Sequence, residues 1–124
     1  MLTLIGYLKR PEGVSREEFQ TWWKEKHVPF VKQLPGLRRY VIHVAHKGFS
    51  PMAATEAEML NDDPPLDGIA EIWFDDEDAV LKALISQQGA ADKASFVAHV
   101  AQSVGIVARP IVVVPGPNDA CGDK

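Results

Sequence analysis

Cysteine is almost absent from this chain of 124 residues, because its one cysteine is Cys121 near the C-terminus. One cysteine can neither close an intrachain disulfide nor build a cysteine-rich metal site, so a reducing compartment is the simpler expectation. An excess of positive charge is also missing, since 13 Lys and Arg stand against 17 Asp and Glu. A mildly acidic chain is a poor binder of nucleic acid or anionic membrane surfaces, and we expect neither as a partner.

Long apolar runs are lacking as well. No stretch approaches the roughly 20 residues that a membrane-spanning helix needs. The apolar run at residues 2–8 precedes its basic pair, Lys9 and Arg10, and is too short for a signal peptide, so we expect a cytoplasmic protein. The sequence has no glycine-rich phosphate loop, no nucleophile elbow and no metal-ligand motif, and we expect neither a cofactor nor a metal.

The composition is that of one globular domain. Hydrophobic residues make up 46% and charged residues 24% of the chain, which are ordinary values for a folded protein. A chain of this size buries roughly two thirds of its unfolded surface, so it can form a core without disulfides. We expect a single domain over residues 1–114 and a polar tail at residues 115–124.

The start of a helix near Arg16 is the clearest local signal. Ser15 and Glu18 have the spacing of a capping box, and apolar residues then recur with helical period as far as Leu34. Pro29 lies inside this pattern. Because proline lacks an N–H, we expect a kink or a break there, just after His27.

Alternating patterns and turn residues predict the other elements. A second helix begins at the acidic run 75–78, is broken at Gln88 and Gly89, and is followed by another over residues 90–103. The stretch 47–65 reads as a flap over a pocket, with one helical turn at residues 53–60. The expected buried stripe of the second helix is Val80, Leu81, Leu84 and Ile85. The predicted strands are 2–8, 37–46, 67–74 and 104–114, the last of which contains Pro110 and is expected at a sheet edge.

The element order β-α-β-β-α-β is that of the ferredoxin-like arrangement. The sequence therefore predicts an α+β fold, in which a four-stranded antiparallel sheet carries its helices on one face. The strands have apolar residues on both faces, and no segment remains to cover the second one. We expect a homodimer in which a second copy covers it.

Three segments resemble the EthD family of the dimeric α+β barrel superfamily. Residues 9–29 form a helix that ends in His-x-Pro, residues 34–41 begin Leu-Pro-Gly-Leu, and residues 67–74 read Asp-Gly-x-Ala-Glu-x-Trp-Phe. The resemblance implies a homodimer whose two sheets close into a barrel, with a pocket between sheet and helices in each subunit. Proteins of the family and its barrel relatives include muconolactone methylisomerases, fungal dehydratases or decarboxylases of aromatic polyketides and cofactor-free quinone-forming monooxygenases.

The resemblance thus implies a cofactor-independent enzyme that acts by proton transfer on a small aromatic, polyketide-like or lactone metabolite. An isomerase, a dehydratase or a lyase fits this description. Two alternatives stay open, a small-molecule binding protein without catalysis and a cofactor-free quinone-forming monooxygenase.

His27 is the leading catalytic candidate, because it lies on the apolar side of the first helix and apolar surroundings favour a neutral base. The alternative is a core histidine bound to a carbonyl or a glutamate. Glu71 lies in a largely apolar strand, where it could orient His27 or form a salt bridge with an arginine. The hydroxyl of Tyr40 could polarise a substrate oxygen, or it could simply pack in the core.

Three further residues are candidates for substrate binding. Trp23 and Trp73 have core spacing but could form the aromatic wall of a pocket. Asp67 lies at the mouth of the third strand, before Gly68, where capping of a turn is the alternative role.

Overall fold

A computed structural model of the chain describes residues 1–117, so the end of the expected tail, with Cys121, lies outside the described residues. A π-helical turn (Trp23–His27) joins the first two helices. The strands are β1 (Leu2–Leu8), β2 (Arg39–Val44), β3 (Gly48–Phe49), β4 (Leu60–Asn61), β5 (Gly68–Phe74) and β6 (Gly105–Ala108). The helices are α1 (Arg16–Trp22), α2 (Val28–Val31), α3 (Glu56–Met59), α4 (Glu77–Ile85) and α5 (Gln87–His99).

The main sheet has four strands in the order β2-β5-β1-β6, and every neighbouring pair is antiparallel. With its helices, this sheet forms the predicted ferredoxin-like α+β fold. The short strands β3 and β4 pair only with each other, in a small ribbon beside the sheet. The edge strand β6 ends before Pro110, so the predicted last strand is too long at its C-terminal end.

Alternation divides the sheet into two faces that differ in what covers them. The helix-side face carries side chains that pack against the helices, among them Leu4, Tyr40, Ile42, Ala70 and Ile72. Their neighbours along the strands point the other way. We call this second surface the open face, because no helix of residues 1–117 packs on it. It consists of Ile5, Tyr7, Val41, His43, Ile69, Glu71 and Trp73.

The first helix begins at the predicted capping box and changes its winding before Pro29. Ser15 accepts from the Glu18 N–H, and the Glu18 carboxylate accepts from the Ser15 N–H, both at 3.1 Å. Further on, the Val28 N–H donates to the Trp23 carbonyl, five residues back, as in a π-helix. Pro29 then lies in the first turn of α2, where no N–H is required. The predicted break is therefore a widened turn.

Two expectations for the later helices are wrong. Val80 and Ala83 face the core, whereas Leu81 is 54% and Ile85 82% exposed, so the predicted stripe points partly to solvent. The helices also divide at Ser86, which accepts from the Gly89 N–H and so begins α5. Gly89 does not break a helix. It lies in the first turn of α5, where a Cβ atom would come within 2.3 Å of the Ala83 carbonyl.

Gly68 permits the closest approach between the helix layer and the sheet. A Cβ atom at Gly68 would lie 2.3 Å from the Trp23 ring and 2.4 Å from the His43 carbonyl oxygen. Any side chain there would force the indole away from the sheet. Asp67, the residue before Gly68, therefore lies next to this contact.

We predict that Gly68→Ala lowers the free energy of unfolding by about 1–3 kcal/mol, the usual cost of overpacking a core. Urea unfolding measures this change. Gly6→Ala is the matched control in a neighbouring strand, because the nearest atom to its Cβ would be 3.8 Å away. Equal losses for the two variants would contradict the proposed role of the contact between Gly68 and Trp23.

Candidate functional site

The imidazole of His27 lies between the first helical segment and α5, and it is 3% exposed. Its Nδ1 is 3.1 Å from the hydroxyl of Ser95. Its Nε2 is 3.1 Å from Oδ1 of Asp92, at ion-pair distance although not in hydrogen-bond geometry. Asp92 and Ser95 are three residues apart on one helix and therefore share a face. Both ring nitrogens of His27 thus have polar neighbours on α5.

Aromatic rings pack against the imidazole of His27. The Trp22 indole stacks on His27 with ring centroids 5.0 Å apart and on His99 at 4.7 Å, so it lies between two imidazoles. The ring of Phe96 lies 5.6 Å from His27. His99 in turn donates from Nδ1 to the Ser95 carbonyl at 2.9 Å. These contacts leave the His27 ring little freedom to rotate.

His27 borders a cavity of about 350 Å³ between the helices and the helix-side face of the sheet. Most of its wall is apolar. It adjoins a second apolar cavity of about 300 Å³ that reaches the edge strand β6. The polar residues in the wall of the first cavity are His27, Tyr40, Asp92, Lys93 and Ser103. The two cavities share Leu4, Leu8, Ala70, Ile72, Phe96 and Ser103.

Tyr40 and Trp23 bring unpaired polar atoms to the same cavity. Both atoms are buried, and neither the Tyr40 hydroxyl nor the Trp23 Nε1 makes a hydrogen bond of good geometry within residues 1–117, although the two groups are near enough to interact. Burial raises the pKa of Tyr40 to about 12, opposed by the Trp23 indole and supported by the negative charge of Asp92. Tyr40 is therefore a neutral phenol at physiological pH and can donate its proton to a hydrogen bond.

Glu71 and Trp73 lie on the open face, away from His27. The carboxylate of Glu71 is 2.5 Å from Nε2 of His43, and the guanidinium of Arg39 lies 5.6 Å from the Trp73 ring centre. The expectation that Glu71 orients His27 is wrong, because the sheet lies between the two side chains. Alternation placed Glu71 and Ile72 on opposite faces, and Ile72 faces the helices.

Asp67 is buried and bound by two arginines. It accepts from the Arg10 N–H at 2.8 Å, from Nη1 of Arg10 at 2.6 Å and from Nε of Arg16 at 3.3 Å. Burial by itself would raise the pKa of Asp67, but the bonds from Arg10 and Arg16 outweigh it and hold the pKa below its ordinary value. Asp67 does not line the His27 cavity. It lines a separate polar pocket between residues 9–16 and 63–65.

The flap predicted over residues 47–65 does not lie at the His27 cavity. None of its residues is in the cavity wall, and only its last three, Asp63, Pro64 and Pro65, reach the polar pocket beside Asp67. The predicted helical turn within it is confirmed as α3. On either side of α3 the segment also forms the short β3–β4 ribbon, so it has structure of its own away from the cavity.

Asp92 and Ser95 were missed as site residues. Their signal in the sequence was the spacing of residues 92, 95, 96 and 99, which places an acid, a hydroxyl, a phenyl ring and an imidazole on one side of a helix. Taken alone, this spacing also describes a solvated face. Only the packing of α5 against His27 and Trp22 turns it into part of a site.

Within the part of the chain that the structure describes, no three His, Cys, Asp or Glu side chains come together to hold a metal ion. In the same residues, no helix combines the length and the apolar character needed to cross a bilayer.

Comparison with known proteins identifies a family and a fold. The family described as EthD domain matches residues 11–100. No protein of curated function matches the chain.

Three solved structures illustrate the likeness in fold. An EthD family protein from Bacillus halodurans is 18% identical, with a TM-score of 0.65 over 90% of this chain and 99% of that one. SnoaB, a cofactor-independent oxygenase from Streptomyces nogalater, is 15% identical, with a TM-score of 0.63 over 93% and 97%. A dimeric ferredoxin-like protein of unknown function from Bacteroides fragilis is 11% identical, with a TM-score of 0.58 over 86% and 93%. At these identities the likeness is one of fold.

We predict that Asp67→Asn lowers the free energy of unfolding at pH 7 by about 2 kcal/mol, because it leaves two arginines without their buried counter-charge. A carboxyl whose pKa is lowered by folding stabilises the protein above its unfolded pKa. That contribution disappears as the pH falls through the folded pKa. The difference between wild type and variant should therefore shrink below about pH 4.

Urea unfolding at several pH values measures this difference. The matched control is Asp75→Asn, which removes an exposed ion pair with Arg38 and should cost much less, because solvent screens that pair. A difference between wild type and Asp67→Asn that is as large at pH 3 as at pH 7 would contradict the electrostatic origin of the effect.

Proposed function

The chain belongs to the EthD domain family, and on that basis we propose that it is a cofactor-independent enzyme acting by proton transfer on a small aromatic, polyketide-like or lactone metabolite. The reaction class is that of an isomerase, a dehydratase or a lyase. The observation that carries the proposal is the pairing of the buried His27 with the shielded Oδ1 of Asp92 in the wall of an apolar cavity.

The position of Asp92 supports a role in chemistry rather than in stability. A carboxylate taken out of water costs free energy unless hydrogen bonds replace its hydration. The Oδ1 of Asp92 is buried and has His27 near it, but no hydrogen bond of good geometry within the described chain. Asp67, by contrast, is fully bound by Arg10 and Arg16. A buried polar atom without a hydrogen bond requires an explanation, and a catalytic role supplies one for Asp92.

The two residues can act as one proton acceptor. When the Ser95 hydroxyl donates to Nδ1 of His27, the ring proton is on Nε2 and faces Asp92. Because both ring nitrogens are then occupied, a proton that leaves the substrate is accepted by the Asp92 carboxylate, which the Nε2–H of His27 faces. The proton returns to another substrate atom, or to the leaving group, in the second half of an isomerisation or elimination. Trp22 and Ser95 hold the ring in place for both transfers.

Tyr40 supplies the complementary group. Because its phenol is neutral, its O–H can donate to a substrate oxygen on which negative charge develops. The apolar wall strengthens that hydrogen bond by excluding water.

A small-molecule binding protein without catalysis is the second candidate. It is favoured by the fact that both nitrogens of His27 already have neighbours in the chain, as expected for a histidine that only supports the pocket. The third candidate is a cofactor-free quinone-forming monooxygenase, which the fold shared with SnoaB supports, and oxygen uptake with a hydroquinone substrate tests for it.

We predict that His27→Gln and Asp92→Asn each lower proton exchange by about 10²-fold, the usual effect of losing a general acid or base. Proton NMR of enolisable aromatic ketones and lactones in D₂O measures exchange directly. The matched control is Glu71→Gln, which alters the carboxylate–histidine pair on the open face and should leave exchange within about threefold. Ligands that bind without exchanging protons would favour the binding protein.

We also propose that the chain forms a homodimer through the open face. Apolar side chains such as Ile5, Val41 and Ile69 lie there without a covering helix in residues 1–117. Their burial in a second copy would remove them from water. The dimeric ferredoxin-like protein with the same fold supports a homodimer.

We predict a dimer in sedimentation at micromolar concentration, with an interface of more than roughly 2,000 Å². Ile5→Glu should produce monomers, because it places a charge in the middle of that interface beside Glu71. Leu81→Glu changes an exposed apolar residue of α4 and should leave the dimer intact. A monomeric wild type would refute the proposed dimer.

A further inference from the structure

Two buried hydrogen-bond donors in the His27 cavity lack a well-formed hydrogen bond. The Nε1 of Trp23 and the hydroxyl of Tyr40 are both shielded from solvent, and neither makes a hydrogen bond of good geometry within residues 1–117. The two groups are close to each other, because the Trp23 indole acts on the pKa of the Tyr40 hydroxyl. Leaving a buried donor unpaired costs about 1–3 kcal/mol, so native proteins rarely tolerate it without a reason. Two such groups in the wall of one cavity point to a ligand that pairs with them.

The chemistry of the two groups limits what that ligand can present. An indole N–H donates and cannot accept, so its partner must be an acceptor. The neutral phenol of Tyr40 can donate as well. An ammonium, guanidinium or amide N–H of a ligand therefore cannot pair with the indole of Trp23. A carbonyl, enolate or phenolate oxygen is suitable, because one such oxygen accepts two hydrogen bonds.

We propose that Trp23 and Tyr40 form a two-donor site for one ligand oxygen, and that the ligand is a planar phenol or an enolisable ketone. This inference rests on the proposed function for the fate of the proton. When a C–H beside the ketone ionises, its electron pair is delocalised onto the oxygen held by Trp23 and Tyr40. When the O–H of a phenol ionises, the negative charge is on that oxygen from the start. The proton passes to the pair of His27 and Asp92, so no oxidant or reductant is involved.

The fold places Trp23 for this role in an unusual way. Trp23 is the first residue of the π-helical turn, and its indole lies against Gly68. A Cβ atom at Gly68 would overlap with the indole. If this position served only to fill the core, a smaller apolar side chain would do so without burying an N–H group. Trp73 shows the contrast, because its Nε1 is also unpaired and buried but belongs to the open face, away from Tyr40 and His27.

The experiment uses 4-nitrophenol, whose anion has its own absorbance, and nitrobenzene, which has the ring without the oxygen anion. Trp23→Phe and Tyr40→Phe each remove one donor and keep an aromatic ring. We expect each to raise the Kd of 4-nitrophenolate by about 10- to 100-fold, the effect of losing a hydrogen bond to a charged group. The Kd of nitrobenzene should change by less than about threefold, because its ring packing is retained. Trp73→Phe is the matched control and should change neither.

Three results would overturn the two-donor site. The first is that Trp23→Phe and Tyr40→Phe bind 4-nitrophenolate as tightly as Trp73→Phe does. The second is that the two donor variants lose nitrobenzene binding in parallel. The third is that the wild type does not bind 4-nitrophenol at millimolar concentration. If Trp23→Phe does not fold, as judged by urea unfolding, Tyr40→Phe decides alone. Donor-dependent binding without proton exchange in any ligand would refute the enzyme and retain the site. Exchange that depends on His27 but not on the donors would refute the site and retain the enzyme.

Discussion

The contact between Trp23 and Gly68 sets the distance between the two layers of this molecule. Because Gly68 has no side chain, the indole can lie directly on the strand, and the helical segment that carries it is held close to the sheet. The π-helical turn then places His27, four residues later, on the same buried side. The cavity is the space left beyond this contact, between Tyr40 on the sheet and Asp92 on α5.

Two kinds of buried polar group follow from this arrangement. Asp67 is saturated by hydrogen bonds from two arginines, and its lowered pKa reflects stabilisation of its charged form. Around the cavity, Trp23, Tyr40 and Asp92 keep atoms without hydrogen bonds. The hydrogen bonds of Asp67 connect the start of β5 to the start of α1 and stabilise the fold. The second kind is destabilising in the empty protein, which is why we assign it to ligand binding and proton transfer.

Much of the fold could be predicted because it is encoded locally. The capping box at Ser15, the alternation in the strands and the order of elements depend on residues close together in the chain. The same local rules failed for Leu81 and Ile85, since helical period alone does not say how wide the buried stripe is. Gly89 was misread because a glycine that breaks a helix and one that lets its N-terminus pack closely look alike in a sequence.

The sequence by itself determined the fold class, the position of His27 on a buried helical side and the alternation that separates Glu71 from its neighbours. Tertiary structure alone decided which of these groups meet. Strand register and the packing of α5 place Asp92 and Ser95 beside His27, and they leave Glu71 beyond the sheet with His43. The physical reason is that contacts between residues far apart in the chain depend on how whole layers pack, which no local pattern records.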